Sequence, residues 1–254
     1  AKHKGTQIDA ESLERELGNN AGSLQIGFNN VNRSPSAIFS RQISSFPVFT
    51  GIGFKNENIS KIFASVQFSK LKLLLQGNYY IVANYTYFNN YFNAVQQSAV
   101  FNVLHVSAEK KVPVSKNLNW YIEAHVQQTT GQAPVNLPLI FTRNRFAFEG
   151  NFFKNLFLST GIEIKYNTPY KAAGFSPLNS QFIFQDTVSI SNRPDINLFF
   201  NFRIKSFKAF VRLENINAIN PADKYRFTRY NFSAPYYPQR ALWFRMGIWW
   251  NFVN

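Results

Sequence analysis

From Ala241 to Val253 the chain alternates without interruption. Leu242, Phe244, Met246, Ile248, Trp250 and Phe252 fall on one face of an extended strand, and Trp243, Arg245, Gly247, Trp249 and Asn251 fall on the other. The repeat is two residues, not the roughly 3.6 of a helix. An aromatic-rich strand of this kind suits a transmembrane β-barrel, where one face meets lipid, the other faces the interior, and aromatic rings sit near the interface.

Such alternation hides from a hydropathy scan, because polar residues dilute the apolar ones and leave a mean hydropathy of -0.22. No window long enough for a membrane helix is apolar throughout. Even the longest stretch without Asp, Glu, Lys or Arg, from Leu73 to Ala108, is threaded with Gln76, Asn78, Asn84, Asn89, Asn90 and Gln96. The texture is uniform over 254 residues, so a single barrel domain over 21–254 is expected, preceded by an extramembrane segment 1–20. In that segment Asp9 as N-cap, Glu11 to Leu17 as a short helix and Gly18 as its stop make a plausible turn. The absence of cysteine excludes disulfides and thiolate metal sites. Ala1-Lys2-His3-Lys4 lacks an apolar core, so any signal peptide is expected to be already removed or to lie upstream of it.

The pattern places strands near 23–30, 47–55, 60–68, 72–88, 98–110, 118–128, 139–152, 156–167, 194–205, 207–218 and 241–253. The frames are cleanest in the second half. Ile122, Ala124 and Val126, then Leu158 and Ile162, Leu198 and Phe200, and Val211 and Leu213 form charge-free faces, while Glu123, Glu163, Lys165, Arg203, Lys208 and Arg212 hold the opposite ones. A charge facing lipid at mid-depth costs about 2–4 kcal/mol, which accounts for the segregation.

A soluble β-sandwich alternates too. The barrel is favoured by strands of about ten residues where soluble sheets use five or six, and by the spacing of connections. Phe153-Lys154-Asn155 and Lys205-Ser206 are tight turns, whereas Pro169 to Arg193 and Asn220 to Arg240 are long and rich in Pro, Asn and Tyr. The fold class expected is thus all-β, an antiparallel transmembrane β-barrel of about eleven or twelve strands within this chain. Both ends of such a barrel face the periplasm, which puts the connection Val31 to Phe46 on the side of the short turns. It is too long for that side. Either a strand lies hidden within it, or the chain is the C-terminal part of a larger barrel.

The run Leu137-Pro138-Leu139-Ile140-Phe141-Thr142-Arg143-Asn144-Arg145, then Asn151-Phe152-Phe153-Lys154-Asn155 and Gly161-Ile162-Glu163-Ile164-Lys165-Tyr166, resembles the putative-porin family of Bacteroidetes-type outer membranes. So does the ending, where Phe210-Val211-Arg212-Leu213-Glu214-Asn215 precedes Tyr236-Tyr237-Pro238 and Phe244-Arg245-Met246-Gly247-Ile248-Trp249-Trp250. The chain departs from such barrels in finishing on Phe252-Val253-Asn254 instead of on an aromatic. The resemblance implies passive diffusion across the outer membrane, and members longer than this chain, which agrees with a C-terminal part.

The interior-facing frame gathers Arg143, Arg145, Glu149, Glu163, Lys165, Arg203, Arg212 and Arg245 as candidate pore-lining charges. Basic groups outnumber acidic ones there, as they do overall, with a net charge of +14. Such a lining lowers the energy of anions inside a pore. The same charges have two plainer uses: Lys205 and Lys208 flank a turn, and others neutralise acidic neighbours or meet lipopolysaccharide phosphates. Nucleic acid is a poor partner, because the basic residues are dispersed over many strands. His105 and His125, with Ser107 and Glu123 near them, invite a catalytic triad. No Gly-x-Ser-x-Gly elbow accompanies them, and a third strong metal ligand is missing, so neither enzyme chemistry nor any cofactor is expected. Outer-membrane lipid and lipopolysaccharide are the expected surroundings. A non-conducting accessory or docking subunit, with outer-membrane protein partners or further copies, is the competing reading.

Overall fold

The computed structural model describes residues 7–18, 21–39, 53–89, 93–152, 155–178 and 180–251. Eleven strands form one antiparallel sheet in chain order. They are β1 (Gln7–Leu17), β2 (Gly22–Arg33), β3 (Glu57–Phe68), β4 (Leu73–Ala83), β5 (Phe101–Pro113) and β6 (Leu118–Thr130). The remainder are β7 (Ile140–Phe152), β8 (Leu156–Asn167), β9 (Asp195–Ile204), β10 (Phe207–Glu214) and β11 (Trp243–Trp250). Every neighbour in this order is a hairpin partner. Among the described residues β1 and β11 are the two edges of the sheet, and because ten antiparallel steps separate them they run in the same direction.

Short and long connections alternate strictly. Residues 18–21, 69–72, 114–117, 153–155 and 205–206 join strands at one end of the sheet, and 34–56, 84–100, 131–139, 168–194 and 215–242 join them at the other. Two short turns place Lys72 and Lys205 at positive φ, of 48° and 51°.

The two faces of the sheet invert the rule for water-soluble proteins. Leu198 and Phe200 on one face are 40% and 42% exposed, whereas Glu163 and Ser159 on the other are 1% and 5% exposed. Ile26, Phe28, Ile62, Leu75, Leu104, Val106, Val126 and Phe148 continue the exposed apolar face across the earlier strands. So extensive an apolar surface is stable against lipid, not water. The antiparallel ladder satisfies the backbone of each strand from its neighbours, which is what a spanning segment needs where water is absent.

Buried hydrophobic side chains cluster elsewhere, in the long connections. Phe88 and Ile183 pack with Ile38, Phe39 and Ala94, and the Phe39 and Phe88 rings lie 4.8 Å apart. Small hairpins shape these connections: Tyr85–Phe88 pairs with Ala94–Gln97, Gly174–Ser176 with Gln181–Ile183, and Phe232–Ala234 with Tyr237–Pro238. Gln96 braces the base of one, donating to the Lys55 and Asn84 carbonyls at 2.8 and 2.9 Å. Burial pushes the Tyr85 phenol above its ordinary pKa, and the nearby Glu57 carboxylate adds to the rise.

Three expectations need correction. Residues 11–17 are not a helix, and the first segment is not separate from the strands: Gln7–Leu17 is β1, paired with β2 from Gln7↔Asn32 to Leu17↔Gly22. An isolated seven-residue helix is marginal and leaves the backbone groups of its ends unpaired, while the ladder with β2 offers partners along its length. The expected strand 47–55 lies outside the described residues as far as 52, and 53–56 is not a strand. With β1 in its place, residues 34–56 become a connection at the long end, and the misfit of that segment disappears. The single strand expected over 72–88 is broken at Asn84, which has φ 56°. Of the last expected strand, residues 252 and 253 lie outside the described residues.

Candidate functional site

The polar face is densest in charge from β6 to β11. Period two puts Tyr121 and Glu123 on it from β6, Arg143, Arg145 and Glu149 from β7, and Glu163 and Lys165 from β8. From β9 to β11 the same face receives Phe199, Arg203, Arg212, Glu214 and Arg245. All eight candidate residues therefore share one face.

Glu163 is the hub. Arg143 reaches it at 2.7 Å, Lys165 at 3.3 Å and Arg212 at 3.4 Å. The Arg143 guanidinium spans two carboxylates, since its Nη1 also lies 3.2 Å from Glu123 Oε1. Glu214 collects Arg245 at 3.0 Å and Arg212 at 3.9 Å. The network thus reaches from β6 to β11 with members on five strands, β9 giving none, and it resolves a like-charge conflict, because Arg212 and Arg245 stand directly opposite one another.

Glu149 belongs to a second, more neutral group. Tyr121 Oη donates to it at 2.7 Å, Asn119 Nδ2 at 3.0 Å and Ser159 Oγ at 3.1 Å, while Arg145 Nη2 stands 4.0 Å away. The Arg145 guanidinium lies over the Phe199 ring at 4.2 Å, donates to Ser159 Oγ at 3.2 Å, and leaves its buried Nε without a partner among the described residues. Stacking of this sort stabilises a guanidinium that is short of carboxylates. Arg203 stands apart from both groups, over Phe157 at 5.5 Å. Tyr121, Asn119, Ser159 and Phe199 escaped the sequence reading because they carry no charge, although the frame that selects Glu123 and Glu163 selects them as well.

Between these groups lies a concavity of about 310 Å³, lined by Arg143, Arg145, Arg212 and Arg245 together with Glu163, Phe199, Asn201 and Phe210. Four guanidiniums and one carboxylate share this lining, while Glu123, Glu149 and Glu214, which pair with the same arginines, lie outside it. A small anion is the species such a lining can hold, by charge-assisted hydrogen bonds.

The histidines also reach the polar face. His105 Nε2 and His125 Nδ1 are 3.1 Å apart with stacked rings, and His105 Nδ1 meets Asn78 Nδ2 at 3.4 Å. They are diagonal neighbours, not opposite ones, for Ser107 pairs with His125 and Gln127 with His105. Ser107 Oγ turns to Gln76 Oε1, and the Glu123 carboxylate is held by Arg143, so the four do not assemble as a triad. Among the described residues no three His, Asp or Glu side chains are grouped to hold a metal ion.

Solved structures share the fold. A ferric enterobactin receptor of Pseudomonas aeruginosa superposes with a TM-score of 0.63 at 11% identity, over 95% of this chain and 39% of the receptor chain. Another form of that receptor, in complex with enterobactin, gives 0.61 at 12% identity, over 95% of this chain and 40% of its own. The FrpB iron transporter of Neisseria meningitidis gives 0.58 at 11% identity, over 95% and 38%. The chain thus spans about two fifths of the length of these barrels. At such identity the likeness speaks for the fold alone. No curated protein matches the sequence. The family described as "Putative porin" matches residues 2–254, and the chain is a member of that family of outer-membrane β-barrel proteins.

Proposed function

We propose that the polar face lines a pore for the passive diffusion of small polar solutes across the bacterial outer membrane, with a preference for anions. The observation that carries this reading is the concavity whose lining holds four arginines and, of the carboxylates that pair with them, Glu163 alone. Charge on a wall of low dielectric constant focuses its field into the adjoining water, lowering the energy of an anion there and raising that of a cation. Ion pairing moderates the wall charge without cancelling it. The apolar face meets outer-membrane lipid in this reading, and no cofactor takes part.

A second reading is favoured by the long connections, where Tyr225 and Tyr236 are 72% and 82% exposed. Exposed aromatic rings on ordered loops are suited to contact with a partner. In this version the barrel is an accessory or docking subunit that does not conduct. Planar-bilayer recording of the full-length protein in a salt gradient separates the two: a conductance whose reversal potential lies toward the anion's equilibrium supports the pore, a cation-side reversal removes the anion preference, and a silent bilayer favours the docking subunit.

A further inference from the structure

The end of the polar face beside the short connections carries an arrangement that the ion-pair network does not use. One ladder row crosses the last four strands. Phe157 stands opposite Arg203, Arg203 opposite Lys208, and Lys208 opposite Trp249. The order is aromatic, cation, cation, aromatic. Each cation leans on its outer neighbour: the Arg203 guanidinium lies 5.5 Å from the Phe157 centroid, and the Lys208 ammonium 4.6 Å from that of Trp249.

Like charges directly opposite one another in a ladder are destabilising. Where Arg212 meets Arg245, Glu163 and Glu214 offset the repulsion. At Arg203 and Lys208 no carboxylate lies within ion-pair distance among the described residues. The next row sets Asn201 opposite Phe210 and Phe210 opposite Gly247. A Cβ at position 247 would run into the Phe210 ring, so glycine is what lets that ring lie down over β11. The two rows bound a cavity of about 480 Å³, walled by Phe157, Phe210 and Trp249 and supplied with polar groups by Arg203, Lys208 and Asn201. That volume suits a small organic molecule. Trp249, more than half exposed, offers a large ring to the polar side of the sheet.

We propose that this cavity binds a small organic anion whose carboxylate or phosphate is attached to a flat ring. The anionic group sits between Arg203 and Lys208 and relieves their repulsion. The ring covers Trp249 and Phe210, and Asn201 is placed to hydrogen-bond the ligand's edge. An inorganic ion satisfies the cations but leaves the aromatic walls in water. A neutral ring does the reverse. The site names a solute class for the pore proposed above and rests on that reading only for the route by which the ligand arrives.

Intrinsic fluorescence of the full chain in lipid vesicles tests it, with benzoate, acetate and benzyl alcohol as probes that separate ring from charge. Benzoate is expected to change the emission saturably, with an affinity at least about tenfold above that of either other probe, and W249F to lose most of the change. R203Q/K208Q is expected to weaken benzoate by about tenfold. Equal responses to benzoate and acetate, or to benzoate and benzyl alcohol, overturn the proposal, as does full benzoate affinity in R203Q/K208Q. The comparison of probes on the unsubstituted protein stands even if a variant fails to fold. Binding in a protein that does not conduct removes the pore and leaves the site, whereas conductance without selective benzoate binding removes the site and leaves the pore.

Discussion

Arg143 and Glu163 are bonded out of register. Arg143 stands opposite Lys165 and Glu163 opposite Arg145, yet Arg143 Nη2 lies 2.7 Å from Glu163 Oε2. The diagonal reach exchanges a like-charge neighbour for an opposite one, and it draws Lys165 and Arg212 to the other oxygen of the same carboxylate. E163Q therefore leaves three cations facing one another, and the expected cost is roughly 3 kcal/mol, the scale of a buried pair deprived of one partner. Urea unfolding in lipid vesicles measures it. The double variant R143Q/E163Q should lose less than the sum of the single losses, because contacting residues couple; strict additivity would show that the pair contributes no coupling.

The division of the sheet into an apolar and a polar face predicts solvent contacts residue by residue. Spin labels at Ile122, Ala124, Leu158, Ile162, Leu198, Phe200, Val211 and Phe244 should be accessible to oxygen, and labels at Glu123, Glu163, Arg203 and Arg212 to a water-soluble reagent. The reverse pattern would overturn the orientation. Trp120 and Trp250 lie on the apolar face close to the short connections, Trp120 stacked on Phe146 at 5.2 Å and donating to Asn144 Oδ1 at 3.2 Å. Rings with one polar atom are stabilised at headgroup depth. Depth-dependent quenching should place both near one interface, and a position at the bilayer centre would refute this.

How much of this was legible in the sequence depends on how many layers of physics agree at each residue. From β3 onward the apolar frame is nearly pure, so Leu158 or Phe200 announces both a strand and its orientation. In β1 the frame fails: Glu11 and Arg15 stand beside Leu13, opposite Phe28 and Leu24 of the apolar face of β2. Local composition there favours a helix, and only the register with β2, a non-local property, makes it a strand. The charged site was legible as a face but not as pairs. Nothing in the sequence tells that Arg143 prefers Glu163 to its direct neighbour, or that Arg203 and Lys208 stay without a carboxylate, because those outcomes depend on side-chain reach across a twisted ladder.

Asn231 fastens the last long connection to the one before it. Its Oδ1 accepts from the Arg193 backbone N–H at 2.9 Å and its Nδ2 donates to the Arg193 carbonyl at 2.8 Å, while Asn192 Oδ1 accepts from the Phe232 N–H at 2.9 Å. N231A removes these two bonds to Arg193 and a third, from Nδ2 to Asp195 Oδ1 at 2.5 Å, at a buried position. Trypsin should then cut the connection at Arg226, Arg229 or Arg240 several-fold faster, with the eleven-stranded sheet still resistant. Unchanged cleavage would mean that ring contacts, such as Phe175 with Tyr237 at 5.4 Å, suffice to hold it.

If the barrel conducts, the arginines of the polar face set its selectivity, and ionic strength discriminates this role from a structural one. Replacing Arg143, Arg145 and Arg212 together by Gln keeps hydrogen-bonding capacity and removes three positive charges from the wall. The reversal potential in a salt gradient should move toward cation preference. The shift should be largest in dilute salt, because the Debye length of about 10 Å at 0.1 M contracts to about 3 Å at 1 M and hides the wall charge from the permeating ion. A purely structural role predicts something else. Loss of Arg143 and Arg212 leaves Glu163 with Lys165 as its remaining ion partner, which lowers the stability of the wall, while the reversal potential of the channels that still form stays where it was at every salt concentration.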